Sequence, residues 1–97
     1  MFSLKISDLK DGAVKVNVEG KVVEKEAARE VNTKFGRTKV ANAVIEDDSG
    51  SIVLVLWGEQ ADQVNEGDTV KIENGYIREW NNSLQLNVGK YGKLTVL

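Results

Sequence analysis

The chain has no cysteine, no histidine and no proline. Without cysteine there is no disulfide, and the absence fits a reducing compartment such as the cytoplasm. Without either cysteine or histidine, zinc would have only carboxylates as ligands, so no structural zinc site is expected. Without proline there is no rigid linker. No apolar run approaches the ~20 residues of a membrane span. The start, Met1-Phe2-Ser3-Leu4-Lys5, lacks the basic segment and apolar stretch of a secretion signal. No membrane partner is expected.

The same absences remove most routes to catalysis. There is no His or Cys to act as base or nucleophile and no Gly-x-Ser-x-Gly. None of the nine glycines precedes a helix in phosphate-loop spacing. Asp47 and Asp48 invite a reading as a carboxylate pair for a metal, but they precede Ser49-Gly50. Asp and Ser bond their side chains to nearby backbone, and Gly allows positive φ, so turn formation accounts for them. The chain is expected not to be an enzyme and to carry no cofactor and no metal.

What is present is one domain's worth of patterned sequence. Ninety-seven residues suit a single domain, 1–97. Hydrophobic residues at 41% against 29% charged give a globular rather than a disordered balance. Over 13–25, Val14, Val16, Val18 and Val22 alternate with Lys15, Asn17, Glu19 and Lys21. That period of two with β-branched residues predicts a half-buried strand, with a bulge or bend at Gly20. Residues 38–46 and 52–57 predict a hairpin across the 47–50 turn. Residues 58–64, polar except Ala61 and Val64, predict a short helix stopped by Gly67. Strands follow over 69–80 and 83–88, joined by a turn at Asn81-Asn82, and Leu94 to Leu97 extends or closes the sheet. Ser7 is placed to cap a turn over 8–10, and 27–37 reads as a long loop. This is an all-β layout of five strands with a short helix between strands 3 and 4. It is the order of the OB-fold, a Greek-key barrel whose strand 2–3 face and loops hold oligonucleotides. The apolar C-terminus predicts a domain cut from a longer protein, or a strand whose partner lies elsewhere.

Net charge is −2, but its distribution matters more. Arg29, Lys34, Arg37 and Lys39 face one acid, Glu30, whereas 40–70 carries no Lys or Arg and seven acids. A basic end and an acidic end are expected. Six aromatics are present: Phe2, Phe35, Trp57, Tyr76, Trp80 and Tyr91. On strand 3, Ile52, Leu54 and Leu56 share one face and Val53, Val55 and Trp57 the other. Alternation alone leaves open which set faces the core. On strand 4, Val70 and Ile72 have one parity and Ile77 the other, and a bulge at Gly75 reconciles them. All three then face inward, and Tyr76, Arg78 and Trp80 line up outside. The alternative is a core Tyr and a Trp at a loop tip. Aromatic rings stack unpaired bases at ~1–3 kcal/mol each with little regard for sequence. Arg78 adds charge and a second stacking plane. Lys34, Arg37 and Lys39 suit phosphates. Gln85 and Asn87 either read base edges or are solvated, and Phe35 either clamps a ligand or pins its loop.

The runs Asp47-Asp48-Ser49-Gly50-Ser51-Ile52, Leu54-Val55-Leu56-Trp57-Gly58 and Gly67-Asp68-Thr69-Val70-Lys71-Ile72-Glu73-Asn74-Gly75-Tyr76 resemble archaeal single-stranded DNA-binding proteins and the OB domains of replication protein A. So does the opening Ile6-Ser7-Asp8-Leu9-Lys10-Asp11-Gly12. The resemblance covers about residues 5–96. It implies that Trp57, Tyr76 and Trp80 stack on bases of single-stranded DNA, and it favours the loop cations. It also implies work in replication, repair or recombination at the nucleoid, with other OB domains of the same parent protein as possible partners. The zinc segment or charged tail carried by many members is missing here, and acidic Glu79 beside Trp80 departs from what phosphate binding favours. The competing readings are an OB domain for protein contacts and a single-stranded RNA binder.

Overall fold

The computed structural model describes residues 5–34, 36–89 and 91–97. Seven strands lie among them: β1 (Val16–Lys25), β2 (Arg29–Thr33), β3 (Gly36–Asp47), β4 (Gly50–Trp57), β5 (Thr69–Trp80), β6 (Ser83–Asn87) and β7 (Lys93–Val96). A 3-10 turn, Ile6–Asp8, precedes β1, and α1 (Gln60–Gln63) lies between β4 and β5. Among the described residues no helix is long and apolar enough to cross a membrane.

Five strands pair around a closed ring. β1 pairs β3, β3 pairs β4, β4 pairs β6 in parallel, β6 pairs β5, and β5 returns to β1. This is the expected OB arrangement, with its helix after the third ring strand. A closed ring leaves few raw strand edges on so small a sheet. β7 extends it by pairing the first half of β5. The inside is filled by alternate residues: Val16, Val18 and Val22 from β1, Ile52, Leu54 and Leu56 from β4, and Val70, Ile72 and Ile77 from β5. Burying each such side chain contributes ~1.5–3 kcal/mol relative to exposure. Ala61 and Val64 are fully buried against this core, although α1 itself is only four residues long.

Several local expectations are corrected. The 27–37 segment is not a loop: β2 pairs β3 from Arg29↔Val40 to Thr33↔Gly36, so it is a hairpin arm. The bulge in β1 falls at Val23, between the Val22 and Glu24 pairings, rather than at Gly20. Gly20 instead permits close approach, since a Cβ there would lie 3.1 Å from the Glu46 carbonyl oxygen. Gly67 is a turn residue (φ +92°) beyond a helix that already ends at Gln63. Val14 is 68% exposed: Lys15 takes a left-handed φ of 54°, so the strand begins only at Val16.

Ser7 is not a cap: it lies inside the 3-10 turn Ile6–Asp8, whose N-cap position is Lys5. The 3-10 turn is held from a distant segment instead. Asp47 accepts hydrogen bonds from the backbone N–H of Ile6 (2.9 Å), Ser49 (2.7 Å) and Gly50 (3.2 Å), and from the Ser49 hydroxyl. The Ser49 Oγ in turn accepts from the Ser7 N–H at 3.0 Å. Desolvation works to raise the Asp47 carboxyl pKa, but these donors together outweigh it and bring the group to about 2. The acidic turn therefore also pins the entry of the chain onto the barrel.

Candidate nucleic-acid interface

The outward face depends on a kink in β5. Val16 pairs Gly75 and Val18 pairs Ile72, so two steps on β1 oppose three on β5. Asn74 takes the left-handed conformation (φ 56°), and its N–H donates to Asn17 Oδ1 at 3.0 Å. Asn tolerates this region because its short polar side chain bonds locally. Gly75 follows facing inward, where a Cβ would be 2.9 Å from the Asn87 carbonyl oxygen. The kink thus involves both residues, with the positive φ on Asn74 rather than on Gly75. It shifts parity by one, so Val70, Ile72 and Ile77 all point inward, at 0%, 0% and 1% exposed.

Tyr76, Arg78 and Trp80 consequently share the outer face of β5. Trp80 is 64% exposed, Arg78 is exposed and Tyr76 is half-buried. On β4, Leu54 and Leu56 are fully buried and Trp57 is 45% exposed, which settles its direction as outward. Pairing arranges the rest in ranks. Asn42, Val55, Asn87 and Tyr76 stand side by side across β3, β4, β6 and β5, and Val44, Val53, Gln85 and Arg78 form the next rank. Neighbours within a rank are ~4.8 Å apart, and Tyr76 and Trp80, four residues apart on one strand, are separated by ~13 Å. Two rings at that spacing are too far apart to face one base. Val40 and Val55 lie outside the core cluster yet are buried, forming an apolar floor beside the rings. The Asn81-Asn82 turn, with φ of 51° and 63°, returns the chain from Trp80 to Ser83.

The cations fare differently. Lys39 Nζ lies 3.0 Å from Asp62 of α1, and Arg37 pairs with Glu30 across the hairpin arm at 3.4 Å. Lys34 is exposed at the arm's tip, and Phe35 lies outside the described residues. Both ion pairs are exposed, so each holds its cation only weakly. At the other end, Glu24 and Glu26 line a groove with Trp80, Asn42, Val53 and Gln85. Glu26 is partly engaged, accepting from the Asn42 N–H at 2.9 Å. These two carboxylates and Asn42 were not singled out from the sequence. Asn42 was within reach: it has the parity opposite to Ala41 and Ala43. The glutamates were not, because only tertiary folding brings β1 beside Trp80. Among the described residues no group of His, Cys, Asp or Glu is arranged to hold a metal ion.

Comparison with known proteins identifies the family. Residues 9–96 match the family described as single-stranded DNA binding protein Ssb-like, OB fold. The single-stranded DNA binding protein Ssb of Saccharolobus solfataricus is 37% identical over 90 residues, covering 93% of this chain and 61% of that protein. Replication factor A of Methanothermobacter thermautotrophicus is 33% identical over 94 residues, covering 93% of this chain and 12% of that one. The chain therefore spans less than two thirds of either relative. The second OB-fold domain of replication protein A from Methanococcus maripaludis superposes with a TM-score of 0.82 at 26% identity, covering 99% of this chain and 95% of that domain.

Proposed function

The chain belongs to the Ssb-like OB-fold family of single-stranded DNA-binding proteins, and from that membership we propose that it binds single-stranded DNA across β3, β4, β6 and β5, with bases stacked on Trp57, Tyr76 and Trp80. The observation that carries this reading is the outward aromatic row, Tyr76 and Trp80 on β5 with Trp57 on β4, beside a polar floor of Asn42, Gln85 and Asn87. Stacking supplies the sequence-tolerant part of the affinity. Arg78 and the cations of the β2–β3 arm neutralise phosphates and release counterions. Gln85 and Asn87 offer donors and acceptors to base edges. The role is to coat exposed strands in replication, repair or recombination, with no bond made or broken. One OB domain covers few nucleotides, so tight binding is supplied by several domains acting together.

The test is a titration of tryptophan fluorescence with oligo-dT at low and high salt, repeated with RNA of equal length. Salt-sensitive quenching that is stronger with DNA supports the reading. No quenching by either nucleic acid contradicts it and favours an OB domain used for protein contacts. Equal or tighter RNA binding moves the substrate to single-stranded RNA.

A further inference from the structure

We propose that the nucleic-acid path continues past Tyr76 to a fourth base-stacking position on Tyr91, bounded by Val14 and Lys15. This rests on the single-stranded DNA reading above and extends it to residues outside the aromatic row.

Tyr91 is 82% exposed and Val14 is 68% exposed. They line a single groove together with Lys15, Asn74, Tyr76 and Gly89. One exposed apolar side chain is ordinary, but two on one groove beside a cation form a small apolar surface that a flat ring can cover. The groove is continuous with the candidate interface on two sides. Tyr76 belongs both to it and to the aromatic row, and Gly89 belongs both to it and to the groove beside Trp57.

Gly89 keeps that passage open. It has φ +73°, and a Cβ there would lie 2.9 Å from Tyr76 Cε1. The ring of Tyr76 therefore rests against bare backbone, and any side chain would stand between Trp57 and Tyr91. The loop is also anchored to the β5 kink, since Asn74 Nδ2 donates to the Tyr91 carbonyl oxygen at 3.3 Å. The distortion that turns Tyr76 outward thus also fixes the backbone of Tyr91. On the far wall, the left-handed Lys15 turns Val14 out of the barrel, and both residues line the groove. A base laid on the Tyr91 ring would have Val14 at its side and Lys15 within reach of its phosphate. Such a site accepts any base, because every base presents a π-face.

The experiment measures affinity for oligo-dT of about 4 and about 12 nucleotides, lengths that bracket the range for one OB domain. It compares the wild-type chain with Tyr91→Ala and Tyr91→Phe, read by quenching of Trp57 and Trp80. Tyr91→Ala is expected to weaken the longer oligomer at least about fivefold and to leave the shorter one unchanged. Tyr91→Phe should match wild type at both lengths, since the ring and not the hydroxyl acts. Wild-type affinity of Tyr91→Ala at both lengths overturns the extension and leaves the aromatic row standing. An equal loss at both lengths, or a Tyr91→Phe variant as weak as Tyr91→Ala, also overturns it. A wild-type chain that binds neither oligomer removes the single-stranded DNA reading and this extension with it.

Discussion

Lys39 of β3 and Asp62 of α1 form an ion pair, Nζ to Oδ2 at 3.0 Å, across the end of the barrel nearest Trp57. A cation suited to phosphate is thereby matched to an internal carboxylate. Both side chains are about half exposed, at 47% and 59%. Such pairs are worth only ~0–1 kcal/mol, so a phosphate can displace the carboxylate at small cost.

Replacing Asp62→Asn should therefore tighten binding of oligo-dT by about two- to fivefold at low salt. The slope of log affinity against log salt should change little, because Lys39 meets a phosphate in both proteins and only the cost of displacing the carboxylate is removed. Titrations at several salt concentrations check both. Unchanged affinity at low salt would mean that Lys39 takes no part.

The Glu24 carboxylate lines the same groove as Trp80; a carboxylate disfavours phosphate nearby but is the acceptor type that pairs with exocyclic amino groups such as cytosine N4. Glu24→Gln should tighten oligo-dT more than oligo-dC, lowering the ratio of dC to dT affinity relative to wild type. Equal shifts on both homopolymers would show that the carboxylate reads no base.

Gly75 faces inward with no room for a side chain: a Cβ would lie 2.9 Å from the Asn87 carbonyl oxygen and 3.1 Å from the Ile72 side chain. Gly75→Ala should destabilise the fold by ~1–3 kcal/mol, as overpacking does. For a domain of this size each kcal/mol lowers Tm by roughly 4–8 °C. Thermal unfolding checks it, and because the β5–β6 pairing positions Tyr76, oligonucleotide affinity should fall as well.

This position also shows what the sequence could reveal. The mismatch in parity between Ile72 and Ile77 is visible in one dimension, so the kink and the outward set Tyr76, Arg78 and Trp80 follow from it. The direction of Trp57 was open, because Ile52, Leu54 and Leu56 and the opposite set Val53, Val55 and Trp57 are both apolar. The β2 strand was illegible for a different reason. In Arg29–Thr33 only Val31 is even partly buried, so the arm has no core side and no hydrophobic alternation to read. Val14 misled in the other direction: the alternation of 14, 16 and 18 is regular, and only the left-handed Lys15 breaks it. The Lys39–Asp62 pair and the Glu24 carboxylate depend on elements that meet only after folding.

Asp47 ties the β3–β4 turn to the N-terminal 3-10 turn, and its carboxyl pKa of about 2 lies below the ordinary 3.8. A depressed carboxyl contributes stability that is present above its unfolded pKa and lost as pH falls through the folded one. Wild-type stability should therefore decline between about pH 4 and pH 2, and Asp47→Ala should flatten that decline. At neutral pH the same variant should lose ~1–2 kcal/mol through its unpaired backbone donors. Denaturant unfolding at a series of pH values checks both, and an equally steep acid limb in the variant would count against this role.

The account turns on indole rings that lie on the outer face of the barrel and receive bases. The most direct measurement is the affinity of labelled oligo-dT, by fluorescence anisotropy, for the wild-type chain, Trp57→Ala and Trp80→Ala, each first shown to be folded. Each substitution is expected to cost ~1–3 kcal/mol of binding, about 5- to 150-fold, with little change in salt slope. Wild-type affinity in both folded variants would contradict it.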